Sequence, residues 1–184
     1  MAGGLLAWGF APYYGWPVIF ISLPVWGALV QGAHNWRVAA LRSFLFGYGF
    51  FMAGTWWIAN ALLVEADKFA WLMPLSILGL SAVMALWFLP LGVLVWRGKN
   101  LKPFSRILWV AFAWMLMDYA RSFGMFGFPW NLVGYIGLAS LPVAQVASVV
   151  GVYGLGFCVV VVGLCPWLWA RHRHLAWALP LVLI

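Results

Sequence analysis

The sequence predicts an all-α fold, a polytopic bundle of transmembrane helices with about five full spans and two partial spans at the termini. Hydrophobic residues make up 67% of the 184 residues, and the mean hydropathy is +1.02. Charged residues make up 7%, against about a quarter in a typical soluble domain. So few charged residues could not cover the water-exposed surface of a soluble protein, whereas a surface that faces lipid does not need them. The 15 tryptophans suit the headgroup levels of a bilayer.

Five apolar stretches are candidates for spanning helices, which need roughly 20 residues each. They cover residues 15–32, 39–64, 70–96, 107–120 and 141–170. Residues 1–11, which end before Pro12, and residues 175–184 are shorter, and we expect each to be a partial span. We interpret residues 1–184 as a single transmembrane domain.

Residues 127–137 are also apolar, but Phe128-Pro129-Trp130 interrupts them. Proline halts regular helix, and irregular backbone at membrane depth must be buried in protein or line a cavity. The pattern therefore predicts a re-entrant or interfacial loop. On the residues alone, its aromatic side chains are either a rigid lip over a lipid cleft or part of an ordinary aromatic belt.

The basic residues predict which loops share a side of the membrane. Eight of the ten lysines and arginines fall in three alternate connections: Arg37 and Arg42; Arg97, Lys99, Lys102 and Arg106; Arg171 and Arg173. The positive-inside rule places these connections in the cytoplasm, and the loops with Tyr13, Asp67 and Phe128 outside. This pattern accounts for the net charge of +7, and we expect no nucleic-acid partner.

Asp118 and Arg121 are the most informative polar pair. They lie three residues apart near the outer end of a predicted helix, where they meet on one face. An acidic side chain within a membrane span is energetically costly, and one that occurs there usually has a specific role. Two interpretations stay open: a polar patch that receives a lipid headgroup or polar substrate, or a structural ion pair that anchors the end of the helix.

No set of side chains in the sequence predicts a reaction. Cys158 and Cys165 lie in one apolar run without a neighbouring base, and we expect both to be small core residues. Glu65, Asp67 and Lys68 have the pattern of a solvated turn. We predict no metal site and no cofactor.

Short motifs occur in order along nearly the whole chain. They are Phe10-Ala11-Pro12-Tyr13; Phe46-Gly47-Tyr48-Gly49-Phe50-Phe51 leading to Gly54-Thr55-Trp56-Trp57-Ile58; Trp114 to Asp118 and Arg121, leading to Gly127-Phe128-Pro129-Trp130 and Gly134-Tyr135; and Gly151-Val152-Tyr153-Gly154-Leu155. In these motifs the chain resembles the membrane-embedded N-terminal part of apolipoprotein N-acyltransferase, a bacterial inner-membrane enzyme of lipoprotein maturation. The family usually carries Glu where Asp118 stands.

The resemblance implies transfer of an acyl chain from a phospholipid donor to the N-terminal diacylglyceryl-cysteine of an apolipoprotein acceptor. In the family this chemistry belongs to a nitrilase-like domain with a Glu–Lys–Cys set, which follows these helices. The chain ends at Ile184, before any such domain. We therefore expect a chain that is truncated or split relative to the family and has no catalytic residue of its own, with a separate nitrilase-like domain as a candidate partner.

Seven residues are expected to shape the outer lipid entrance. They are Trp57, Asp118, Arg121, Phe128, Pro129, Trp130 and Tyr135. Two other functions stay open at this stage. One is a non-enzymatic membrane protein, either small and transporter-like or an assembly partner. The other is the membrane unit of a lipid-linked sugar pathway.

Overall fold

The computed structural model describes residues 2–123 and 127–171, with side chains through Trp167. These residues form helices and short turns, with no β-strand among them. The α-helices are α1 (Ala2–Ala7), α2 (Ile19–Gln31), α3 (Trp36–Thr55), α4 (Ala66–Phe69), α5 (Met73–Ala85), α6 (Phe88–Arg97), α7 (Pro103–Phe123), α8 (Leu141–Gln145) and α9 (Ala147–Arg171). The 3₁₀-helices are Trp16–Val18, Trp56–Leu63, Ala70–Leu72, Gly98–Asn100 and Val133–Ala139. The all-α prediction is confirmed.

Length and apolar composition identify the helices that can cross a membrane. Three stretches of the described chain satisfy both: Trp36–Leu63, Ala66–Asn100 and Ala147–Trp167. They correspond to the second, third and fifth predicted spans. The chain is thus a helical membrane bundle.

Within the described residues, the remaining predicted spans do not meet both criteria of length and apolar composition. The first is a shorter apolar helix, Trp16–Gln31. The fourth lies within α7, whose 21 residues extend about 31 Å at the usual helical rise, but which carries several charged side chains. The predicted partial span at residues 1–11 contains the short helix α1. The one at residues 175–184 lies outside the described residues.

Two of the spans are broken along their length. Residues 66–100 include α5 and α6, with a break at Leu86 and Trp87, because Pro90 has no N–H to donate to the Leu86 carbonyl. In α9 the backbone leaves the helical region at Gly151, where φ is +70°. Glycine adopts this conformation without the steric cost that a Cβ imposes.

A cluster of aromatic rings holds four helices together. One buried ring comes from each of α2, α3, α6 and α7, namely Trp26, Phe46, Phe88 and Trp114. Trp26 and Trp114 meet edge to face with ring centroids 4.9 Å apart, and Phe88 meets Trp114 in the same way at 5.4 Å. Each such pair is worth about 0.5–1.5 kcal/mol beyond the burial of its area. Trp26 Nε1 donates to Ser43 Oγ at 3.3 Å, so its N–H is also satisfied.

Glycines let α3 approach its neighbours closely. A Cβ at Gly47 would lie 2.5 Å from the ring of Phe88 in α6. A Cβ at Gly49 would lie 3.4 Å from the backbone nitrogen of Gly4 in α1. Close backbone approach matters in lipid, because van der Waals packing rather than the hydrophobic effect drives helix association there. The contact between α3 and α6 therefore requires glycine at position 47, whereas the contact at Gly49 is of ordinary length.

The end of the bundle where α3 begins is basic. Six basic residues lie there: Arg37, Arg42, Arg97, Lys99, Lys102 and Arg106. Indole N–H groups tie the same end together, since Trp96 Nε1 donates to the Ala33 carbonyl and Trp109 Nε1 to the Leu94 carbonyl, both at 2.8 Å. The helices therefore bring two of the three predicted basic connections to one end.

The opposite end holds the turn after α3 and the loop after α7. Glu65, Asp67 and Lys68 are exposed there, and Lys68 Nζ lies 2.7 Å from Glu65 Oε2. A solvated turn was predicted for this segment; the three side chains are exposed, and Asp67 and Lys68 lie in the short helix α4. The loop that starts at Gly127 leads into the 3₁₀-helix Val133–Ala139, which packs on α9. The predicted irregular segment is confirmed, although its second half is helical and buried.

Replacement of Gly47 by alanine is expected to lower the melting temperature of the protein in detergent, followed by tryptophan fluorescence. The new methyl group displaces the Phe88 ring from the aromatic cluster, at a cost of about 1–3 kcal/mol. Gly79→Ala in α5 is the matched control, because no atom lies within 4 Å of a Cβ there. Equal melting temperatures for the two variants would contradict the close α3–α6 contact.

Candidate functional site

The Asp118–Arg121 pair lies at the end of α7, and it is buried. Asp118 is 6% exposed and Arg121 is 2% exposed. Arg121 Nε donates to Asp118 Oδ1 at 3.1 Å, and Arg121 Nη2 lies 3.0 Å from the same oxygen. The helical spacing of three residues places both groups on one face, as the sequence predicts.

Arg121 also clamps the loop that follows α7. Its Nη1 donates to the carbonyls of Phe128 and Trp130, both at 2.7 Å, and its Nη2 donates to the carbonyl of Asn131 at 3.0 Å. The loop in turn holds the pair, since the Val133 N–H donates to Asp118 Oδ2 at 3.2 Å. Two side chains from one helical turn thus fix the path of residues 128–133.

Protein oxygens occupy most of the donors of the guanidinium. Arginine carries five N–H donors in a fixed fork, and Arg121 makes four hydrogen bonds with protein oxygens and a further ion-pair contact from Nη2 to Asp118 Oδ1. Its Cζ also lies 5.3 Å from the centre of the Phe51 ring. Of the two interpretations of the pair, this geometry favours the structural ion pair, with a role that extends from the helix end to the loop.

A cavity of about 510 Å³ lies beside this loop, and we call it the aromatic cavity. Three of its lining residues belong to the predicted entrance: Trp57, Trp130 and Tyr135. Trp57 and Trp130 are 45% and 49% exposed, so their rings remain accessible from outside. Among the described residues on its wall none is charged.

The other four predicted entrance residues do not line the aromatic cavity. Asp118 and Arg121 lie behind the loop as its buried support. Phe128 is half-buried against the core, with its ring centroid 5.2 Å from that of Trp130. Pro129 is exposed at the outer surface of the loop. The structure therefore brings the seven residues into one region but divides them between the wall and its support.

Asn131 joins the loop to the end of α3. Its backbone has a φ of +54°, and its side-chain amide lies against Gly54, where any Cβ would collide with Nδ2. Trp57 Nε1 donates to the Gly54 carbonyl at 3.1 Å, which holds that ring beside the loop. The end of α3 at Gly54 is thus in close contact with the loop that follows α7.

Sequence reasoning missed a further part of the wall. Tyr13, Tyr14 and Trp56 line the aromatic cavity, and Tyr13 stacks on Trp8 with ring centroids 5.5 Å apart. Part of the signal was present, because Tyr13 and Trp56 belong to motifs on which the resemblance rests. Position along the chain did not reveal that residues 13–14 and 130–135 meet.

Reactive side chains are not gathered at the aromatic cavity. Cys158 and Cys165 are free, partly buried thiols on α9, and Cys165 Sγ donates to the Val161 carbonyl at 3.3 Å. Within residues 2–123 and 127–171, no three His, Cys, Asp or Glu side chains lie together in a way that would hold a metal ion. The described wall of the aromatic cavity therefore offers aromatic surface for binding and no cluster of reactive side chains.

Comparison with known proteins identifies the family. Residues 2–165 match the family described as apolipoprotein N-acyltransferase N-terminal domain. The chain is 38% identical over 175 residues to an apolipoprotein N-acyltransferase of Rhodopseudomonas palustris, covering 90% of this chain and 32% of that protein. It is 36% identical over 187 residues to the corresponding protein of Bradyrhizobium diazoefficiens, covering 97% and 35%.

A third relative gives the same result. The apolipoprotein N-acyltransferase of Brucella melitensis is 38% identical over 156 residues, covering 80% of this chain and 29% of that protein. The chain thus spans about a third of the length of the curated relatives it matches. The matched residues include the aromatic cavity and the Arg121 clamp. The family match and these identities show that the chain belongs to the apolipoprotein N-acyltransferase family and matches its N-terminal domain.

Proposed function

We propose that this chain is the membrane part of an enzyme that transfers an acyl chain from a phospholipid to the N-terminal diacylglyceryl-cysteine of lipoproteins. The observation that carries the proposal is the match of residues 2–165 to the N-terminal domain of the apolipoprotein N-acyltransferase family. The chain would serve lipoprotein maturation by positioning the two lipid substrates.

In this proposal the aromatic cavity is the entrance through which lipids reach the reaction centre. Tryptophan and tyrosine rings favour the headgroup level of a bilayer, and Trp57, Trp130 and Tyr135 place such rings at its wall. The uncharged lining suits acyl chains, because a buried charge without a partner is costly in lipid. Asp118 and Arg121 act indirectly, by holding the loop that carries Trp130.

We further propose that the basic end faces the cytoplasm of the bacterial inner membrane and that the aromatic cavity faces outward. Six basic residues at one end support this orientation, since cytoplasmic loops carry an excess of lysine and arginine. The loop at residues 128–130 then opens to the periplasmic side. A catalytic domain that acts on lipoproteins is expected on that side.

The chemistry itself requires groups beyond this chain. Acyl transfer through a thioester needs a thiol nucleophile with a base within hydrogen-bond reach. Neither Cys158 nor Cys165 lines the aromatic cavity. In this proposal a nitrilase-like domain, in the same polypeptide or a separate one, supplies the nucleophile, and the phospholipid donor and apolipoprotein acceptor are the substrates.

Complementation tests this division of labour in cells depleted of the family enzyme. Expression of this chain with the nitrilase-like domain of a relative is expected to restore growth and lipoprotein N-acylation, measured by mass spectrometry of lipoprotein N-termini. Expression of the chain alone is expected to restore neither. N-acylation by the chain alone would refute its incompleteness, and failure of both, with the chain present in the membrane, would favour a non-enzymatic role.

Replacement of Arg121 by alanine, in this chain joined to such a domain, is expected to reduce acyl transfer more than membrane abundance. The change leaves Asp118 Oδ1 and three loop carbonyls without their Arg121 donors, so the loop loses its position. Arg121→Lys is expected to rescue only in part, because a single ammonium cannot reproduce the guanidinium fork. Equal losses of transfer and abundance would indicate a purely structural role.

Replacement of Trp130 by alanine tests the entrance without disturbing the core. Acyl transfer is expected to fall about tenfold, the effect of losing about 1.4 kcal/mol of lipid contact, while membrane abundance stays unchanged. Trp36→Ala is the matched control, because Trp36 is 51% exposed against 49% for Trp130 but lies at the basic end. A similar loss of transfer in both variants would argue against an entrance at Trp130.

A further inference from the structure

A second cavity, of about 470 Å³, lies next to the aromatic cavity. We call it the α9 cavity, because α9 contributes Leu155, Cys158, Val159 and Val162 to its wall. None of its lining residues lines the aromatic cavity. It is therefore a separate space, and the proposed lipid entrance does not use it.

The 3₁₀-helix Val133–Ala139 forms a partition between the two cavities. Tyr135 and Leu138 line the aromatic cavity, whereas Ile136 and Gly137 line the α9 cavity. The segment before α2 is shared in the same way, since Tyr14 lines the first space and Trp16 the second. Because Arg121 and Asp118 fix the start of this partition, one clamp sets the shape of both spaces.

The α9 cavity extends from the end of the bundle into the depth of a spanning helix. Ser140 and Trp16, which lie at the outer end, are exposed. Leu155 and Val162 lie 4 and 11 residues after the kink at Gly151, which corresponds to about 6–17 Å along the helix at the usual rise. A membrane hydrocarbon core is about 30 Å thick. In the orientation proposed above, the cavity therefore extends from the outer part of the membrane toward its middle.

The lining chemistry matches a hydrocarbon chain. Of the residues on the wall, only Ser140 and Cys158 carry a polar side-chain atom besides the Trp16 indole, and none is charged. Ordered water needs two to four polar partners, which the deep part of this wall does not offer. The outer surface next to the mouth is also apolar and exposed, with Leu141 at 78% and Val149 at 85%. The cavity is therefore continuous with a surface that a bilayer covers.

We propose that the α9 cavity binds one acyl chain of a membrane lipid, with the lipid headgroup at the mouth beside Trp16 and Ser140. This site goes beyond the proposed entrance, since it gives the membrane part a second lipid position on the far side of the partition. Two lipids would then be held apart by a wall whose position depends on Arg121.

Photocrosslinking tests the site without any need for catalysis. The chain is reconstituted into phosphatidylcholine vesicles that contain a phosphatidylcholine with a diazirine on its acyl chain, then irradiated and mapped by mass spectrometry. Adducts are expected on residues 136–143 and 155–162. Ala139→Phe, which fills the cavity, is expected to reduce these adducts about tenfold, the effect of losing about 1.4 kcal/mol of binding.

Three further variants keep the test decisive. Cys158→Phe fills the same cavity from α9 and replaces Ala139→Phe if that variant does not reach the membrane. Ala144→Phe, at a position on α8 that lines neither cavity, is expected to leave the adducts unchanged. Ala53→Phe, which fills the aromatic cavity, is expected to lower acyl transfer in the enzyme joined to its domain but to leave the α9 adducts intact.

Each outcome bears on a different claim. Adducts that persist in both filling variants would indicate lipid on the outer surface only and would overturn the site. The absence of adducts on residues 136–143 and 155–162 would also overturn it, as would occur if a protein segment covers the cavity. Loss of acyl transfer in Ala53→Phe with intact α9 adducts separates the second lipid site from the proposed entrance.

Discussion

The end of the bundle opposite the basic residues depends on one interaction, the set of hydrogen bonds between Arg121 and the loop that follows α7. In a low-dielectric environment each unsatisfied polar group costs several kcal/mol. Residues 127–131 have no helical hydrogen bonds of their own, so their carbonyls need donors from elsewhere. Arg121 supplies them at Phe128, Trp130 and Asn131, and Asp118 neutralises its charge while accepting from Val133.

This clamp determines where the aromatic side chains stand. With residues 128–133 fixed, Trp130 lines the same cavity as Trp57 of the 3₁₀-helix after α3, and the Asn131 side chain packs against Gly54. The following 3₁₀-helix then presents Tyr135 to one cavity and Ile136 to the other. A buried charged pair thereby shapes two uncharged cavities without lining either of them.

The rest of the bundle is stabilised by packing, because lipid removes most of the hydrophobic drive for helices to associate. Rings from α2, α3, α6 and α7 interlock at Trp26, Phe46, Phe88 and Trp114, and glycines on α3 bring the backbones close enough for them to do so. This packed part forms a scaffold for the end of the bundle that holds the aromatic cavity. A scaffold of this kind is consistent with the match of the chain to the N-terminal domain of the apolipoprotein N-acyltransferase family.

The sequence by itself determined the fold class, the main spans, the segregation of basic loops and the proximity of Asp118 and Arg121. These follow from hydropathy, charge and helical spacing, which are local properties. Only the tertiary structure decided the partners of Arg121 and the meeting of residues 13–14 with Trp130. Those features depend on backbone carbonyls and on segments more than a hundred residues apart, and no local pattern encodes which loop a buried guanidinium reaches.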